Sequence, residues 1–122
     1  MISVLISSES RYTIERTQIR QAVQKFLEGV GLIDVEVSIL VVGSRKIHQL
    51  NRDFRKVDSP TDVLSFPQEE SRGPDGVLRL GDVVVCYSIC VDEARRENKM
   101  VVEKMQELVE HGLRHLLGEH HD

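Results

Sequence analysis

Val35-Glu36-Val37-Ser38-Ile39-Leu40-Val41-Val42 is the stretch whose reading decides the fold. Val35, Val37, Ile39 and Val41 alternate with Glu36, Ser38, Leu40 and Val42, the period of a β-strand. Its second half is apolar on both sides, which predicts a central strand covered on both faces. Upstream, Ile2 to Ile6 reads as a first strand, and Thr13 opens a helix over about 14–28. Ile19, Ala22, Val23, Phe26, Leu27 and Val30 share one face of that helix, which stops around Gly29 and Gly31.

Downstream, Gly43 precedes Ser44, the expected N-cap of a helix over about 45–54 with Ile47, Leu50 and Phe54 inward. Ser59-Pro60 breaks the chain before a strand over 62–66, with Val63 and Ser65 on one face and Leu64 and Phe66 on the other. Residues 68–79 read as a loop or hairpin and 80–86 as another strand. Helical pattern follows from about 88, broken near Asn98. Its second half runs through Val101, Met105, Leu108, Val109, Gly112 and Leu116. The order strand, helix, strand, helix, strand, strand, helix, helix predicts one α+β domain: a central mixed, mostly parallel sheet packed by helices.

The chain has 122 residues, enough for one core. A composition 40% hydrophobic and 30% charged excludes disorder, and no apolar run is long enough to span a membrane. Met1 to Ile6 is too short for a secretory leader, and Cys86 and Cys90 stand without a disulfide framework, so a cytoplasmic protein with reduced thiols is expected. A net charge of −4 argues against a broad basic face, although Arg45, Lys46, Arg52, Arg55 and Lys56 gather locally. Aromatics are 4%, a thin platform for stacking bases, and no phosphate-cradling glycine loop is present.

Four of the five histidines fall between His111 and His121. His111 and His115 are four apart, one turn of the same helix face, and Gly118 lets the chain reverse so that His120 or His121 can bring a third imidazole. Three imidazoles with a fourth position left to water describe a catalytic zinc site on the C-terminal helix, against the plainer reading of a stacked histidine cluster. Gly112 stands where a zinc protease has its glutamate, so a carboxylate must come from elsewhere, Asp82 or Glu119, unless Asp82 only caps a turn. Arg55 offers a rigid fork for phosphate oxygens, or is a solvated surface charge. Asp58, Thr61 and Asp62 either pin the following loop or accept from the arginines.

His111-Gly112-Leu113-Arg114-His115-Leu116-Leu117-Gly118-Glu119-His120-His121 resembles the histidine signature of the YbeY family of metal-dependent endoribonucleases, and Asn51 to Pro67 and Leu80 to Val83 resemble two further family blocks in the same order. The resemblance implies His111, His115 and His121 as ligands of one zinc ion. It also implies Arg55 as a functional arginine, with Arg52 and Lys56 beside it on RNA phosphate, and Gly81-Asp82 near the site. Glu119-His120 replace the family's Tyr-Asp, which leaves His120 as the alternative third ligand and Asp122 as the carboxylate that would support the third imidazole in place of the family's aspartate. The family signature is normally followed by an acidic segment, so a short C-terminal tail is expected to be missing. The implied activity is single-strand-directed cleavage in the maturation of ribosomal RNA, with the small ribosomal subunit or its proteins as partners, and neither DNA nor a membrane. A metal-dependent peptidase or amidohydrolase and a metal-stabilised assembly factor remain the alternatives.

Overall fold

The computed structural model describes residues 1–118. Strand β1 (Ile2–Ser8) leads through helix α1 (Arg16–Gly29) to β2 (Val35–Val42), and helix α2 (Ser44–Arg55) leads to β3 (Val63–Pro67). A hairpin then joins β3 to β4 (Leu78–Cys86), and α3 (Tyr87–Arg96) and α4 (Val101–Leu116) complete the fold. The sheet order is β1-β2-β4-β3; the first two pairings are parallel and β3 runs antiparallel to β4. β2 is central as its two-sided apolar half requires, and β3 is an edge.

The alternation along each strand sorts the core into two layers. Val37, Ile39, Val41, Val63, Val83 and Val85 face Ile19, Val23 and Leu27 of α1 and Met105, Leu108, Val109 and Leu113 of α4. Val42, Leu64, Val84 and Cys86 face Ile47 of α2, with Leu40, Leu50, Phe66 and Ile89 packed around them. Helices α1 and α4 therefore cover one face, and α2 covers the other. Asn98, at φ 56, makes the break between α3 and α4, because asparagine tolerates the left-handed region better than most residues. Among the described residues no helix is long and apolar enough to cross a membrane.

Several expectations shift. Helix α1 begins at Arg16, not 14: the Tyr87 hydroxyl donates to the Thr13 carbonyl at 3.5 Å, and Ile14 packs into the core. Ser44 is the first residue of α2, and Gly43 is its cap. The Gly43 N–H donates to Glu9 Oε1 at 2.8 Å, and a Cβ there would lie 3.0 Å from the Tyr12 hydroxyl oxygen, so a side chain at this position would have to displace Tyr12 slightly. β4 starts at Leu78, two residues early, since the hairpin continues the ladder. Phe54 is not inward but 67% exposed, meeting the sheet only at the Phe66 ring of the edge strand.

Candidate active site

Helix α4 buries Met105, Leu108, Val109, Gly112 and Leu113, a stripe at i, i+3, i+4, i+7 and i+8, and this sets the direction of its last turns. Gly112 lies against the sheet: a Cβ there would stand 2.5 Å from Val83 Cγ1 and 3.1 Å from Ser65 Oγ. The Ser65 hydroxyl donates to the Gly112 carbonyl oxygen at 2.9 Å and fixes the height of α4 on β3. On either side of that contact, exposed His111 and half-buried His115 approach with ring centroids 4.5 Å apart and planes tilted by 49°. Gly118 follows at φ 82, its N–H donating to the His115 carbonyl at 3.0 Å, so the chain turns where a third ligand would require it.

Glu119, His120, His121 and Asp122 lie outside the described residues. Among the described residues no three His, Cys, Asp or Glu side chains converge on one point. The two imidazoles are nonetheless a donor pair of the kind zinc takes, held by one helix, and they fit two of the three positions of a three-histidine site. Arg114 is engaged elsewhere: its guanidinium lies 5.0 Å over the Phe26 ring and 3.9 Å from Glu110 of its own helix.

Arg55 ends α2 and is exposed. Lys56 takes φ 62, and the buried Asn51 holds the loop that follows: its carbonyl accepts from the Val57 N–H at 3.2 Å, and its side-chain amide donates to the Ser59 carbonyl at 2.8 Å. His48 Nε2 and Asp58 Oδ1 meet at 2.8 Å, so Asp58 pins the loop instead of accepting from an arginine. Arg52 lies 3.3 Å from Asp53, and Lys56 Nζ donates to the Asp53 carbonyl at 3.2 Å. Neighbouring residues of β3 connect the two halves of the site. Phe66 receives the Phe54 ring, 5.4 Å away at 73°, on the α2 side, while Ser65 holds α4 on the other. Helix α4 and helix α2 thus meet adjacent residues of one edge strand from opposite faces of the sheet.

Asp82 pairs in register with Ser38 and Phe66 in the body of β4, not at its start. It has the parity of Val84 and Cys86, so it faces the α2 side with Phe66, whereas α4 lies on the opposite face. Gly81, at φ 129, precedes it where a Cβ would run into the Phe66 carbonyl, so only glycine allows β3 and β4 to pair there.

Periodicity did not single out Ser65 or Asn51 as anchors, although a polar residue on the core-facing side of β3 was a signal for the first. A titratable group beside the loop was also missed. Burial, and then the neighbouring Asp62 carboxylate, raise the pKa of Glu93, while Lys104 at 3.7 Å opposes them. Asp62 is fixed through its own carbonyl, which accepts from the Cys86 N–H at 2.9 Å.

Residues 5–122 match the family model described as endoribonuclease YbeY. An endoribonuclease YbeY from Anaeromyxobacter sp. (strain Fw109-5) is 40% identical over 124 residues, covering 99% of this chain and 62% of its own length. One from Aquifex aeolicus is 36% identical over 119 residues, covering 98% of this chain and 77% of its own. A solution structure from Thermotoga maritima superposes with a TM-score of 0.62 at 31% identity, over 94% of this chain and 72% of that one. The chain thus spans less than two thirds of the length of the Anaeromyxobacter relative.

Proposed function

Because the chain belongs to the YbeY endoribonuclease family, we propose that it cleaves single-stranded RNA in a metal-dependent reaction during maturation of small-subunit ribosomal RNA. The observation that carries this reading is the pair of imidazoles 4.5 Å apart on α4, joined through Ser65 and Phe66 to the turn that bears Arg55. His111, His115 and His121 would hold one divalent ion, zinc being one that imidazole nitrogens suit, with His120 the alternative third ligand. Such an ion supplies Lewis acidity toward a phosphoryl oxygen and an acidified water. Arg55 donates two N–H groups to the non-bridging oxygens of the scissile phosphate and offsets the charge that grows there in the transition state. Arg52 and Lys56 hold flanking phosphates. Asp82, on the Phe66 side of the sheet and so on the face away from α4, is the carboxylate assigned to orient Arg55, and Asp122 to steady the third imidazole. The natural setting of this reaction is the cytoplasm, on or beside the small ribosomal subunit.

With few aromatics and no reading helix, flexible strands are preferred over duplex, since only they can bend a phosphate into the site. The test is cleavage of matched single-stranded and duplex RNA by protein as purified, after chelation, and after addition of zinc. Turnover of the single strand should vanish on chelation and return with the metal, with the fold checked by circular dichroism. Equal cleavage of duplex, or full cleavage after verified removal of metal, would overturn the reading. Cleavage of peptide or amide bonds instead would assign the ion to a carbonyl substrate. RNA binding with a filled metal shell and no turnover would assign the chain to assembly.

A further inference from the structure

Strand β1 lies at an edge of the sheet and pairs with β2 alone. The Val35 N–H donates to the Met1 carbonyl at 3.2 Å and the Glu9 N–H to the Val41 carbonyl at 2.8 Å, so the odd-numbered residues of β1 turn their backbone groups to β2. The even-numbered residues must then turn theirs the other way, and Ile2, Val4, Ile6 and Ser8 present N–H and C=O groups along a free edge. Such a row is a template for another strand. The strand itself carries none of the usual protections: Ile2 to Ser8 contains no proline and no charge, and its register with β2 is unbroken over all 7 residues. The opposite edge needs less, since β3 has 5 residues and ends at Pro67.

Helix α1 supplies what β1 lacks. Arg16 Nη1 donates to the Ile6 carbonyl at 2.8 Å, with Nη2 3.5 Å from Ser8 Oγ, and Gln24 Nε2 donates to the Ile2 carbonyl at 3.5 Å. The two contacts run in opposite senses along the chain, so α1 lies antiparallel to β1, and their spacings match. From Arg16 to Gln24 the helix rises about 12 Å, and from Ile2 to Ile6 the strand extends about 13 Å. Arg20, half-buried and midway along the same face of α1, falls level with Val4, whose outward N–H and C=O have no partner among the described residues.

We propose that Arg16 and Gln24, with Arg20 between them, form a comb that holds the outer edge of β1 shut against a second copy of this chain and so keeps the domain monomeric. The excluded partner follows from the symmetry of the edge. Two β1 strands laid antiparallel across a two-fold axis would set Val4 against Val4 and Ile2 against Ile6, each pair exchanging its outward N–H and C=O. With an amide and a guanidinium already on the carbonyls of Ile2 and Ile6, that pairing must first break the bonds to α1. Edge closure does not depend on the nuclease reading and can fail without it.

The test is sedimentation equilibrium of the whole chain over a range of about 5 to 200 μM. Wild type should keep the mass of one chain, while the double variant Arg16→Ala, Gln24→Ala should rise toward twice that mass as concentration increases. Hydrogen exchange gives the location: the Val4 and Ile6 amides, fast in wild type, should become slow in the variant, and those of Ser3, Leu5 and Ser7, on the β2 side, should be slow in both. Leu5 is exposed on the sheet face away from α1, and a lysine on an edge strand opposes pairing, so adding Leu5→Lys should return the variant to single chains. The variant Arg16→Met, Gln24→Met keeps the stems over β1 and removes only the donors, and it decides the outcome if circular dichroism shows the alanine variant unfolded. A folded variant that stays a single chain over the whole range overturns the comb, as does a wild type that associates in that range. Association that survives Leu5→Lys with the Val4 amide still fast puts the contact elsewhere and overturns it too.

Discussion

An added methyl group at residue 112 would test how the histidines are held. With Val83 Cγ1 only 2.5 Å from where it would stand, α4 must lift from the sheet, and the Ser65 bond to its backbone must lengthen. Overpacking of this kind costs about 1–3 kcal/mol, so Gly112→Ala should lower the thermal midpoint and weaken metal binding. Val83→Ala in the same chain should recover much of both in a double-mutant cycle, whereas additive losses would show that the clash is relieved elsewhere. That close approach was legible in the sequence, as a glycine inside an apolar helical stripe. The exposure of Phe54 was not, because helical period tells which side a residue is on and not how much of the fold covers it there. Glu93 is a second residue-scale test. Its raised pKa means that the fold prefers the protonated carboxyl, so its stabilisation is full at low pH and is lost as pH rises through the raised value. Glu93→Gln cannot ionise and keeps a donor toward Asp62. Calorimetry from pH 4 to pH 7 should show the variant gaining on wild type as pH rises; a constant difference would mean that Glu93 is charged throughout. Glu97, whose pKa Lys104 lowers, acts with the opposite sign in both proteins and cancels in the comparison.

The place of Arg55 on its element separates the role proposed for it from any part in stability. It closes α2 as an exposed cation, beneficial to the negative end of the helix dipole but not required by the core. A charged hydrogen bond to phosphate is worth about 1.5–3 kcal/mol, so Arg55→Ala should cut RNA cleavage by about 10- to 100-fold and move the midpoint little. A large midpoint loss with normal turnover per folded molecule would make it structural. Gly81→Ala should do the reverse, since a Cβ against the Phe66 carbonyl breaks the β3–β4 ladder on which both halves of the site hang. That variant should be recovered unfolded or in inclusion bodies, and a soluble Gly81→Ala protein with native circular dichroism would refute the strain argument. The bounds of β2 and the break at Asn98 were readable because each is announced locally, by alternation and by a residue suited to positive φ. The start of α1 was not, since Tyr87, from the other end of the fold, takes the carbonyl of Thr13. Half of the candidate site was readable for the same local reason: two histidines one turn apart need only a helix. The sheet face that Asp82 occupies was not readable by alternation from Leu80, because a register shift just before Gly81 puts Leu80 with Val83 and Val85 and leaves Asp82 with Val84 and Cys86.

At the scale of the whole molecule, the buried thiols report on unfolding. Burial holds the Cys90 thiol up to about 12, and Cys86 is fully enclosed, so a thiol reagent at pH 8 should label neither until the domain opens. Rapid labelling of native protein would contradict the packing of α3 on the sheet. The order of strands has a further consequence, one of timing. β4 pairs with both β2 and β3, yet it is the last strand to leave the ribosome, and residues 43–77 must be made between β2 and β4. At about 5–20 residues per second, β2 waits roughly 2–7 s with its inner edge unpaired. Through that interval the nascent chain carries a bare template of valine and isoleucine that any other strand can copy. Chains halted before β4 emerges should be cut by protease within residues 35–42 and rescued by a holding chaperone, while chains that have released β4 should resist both the protease and the need for help.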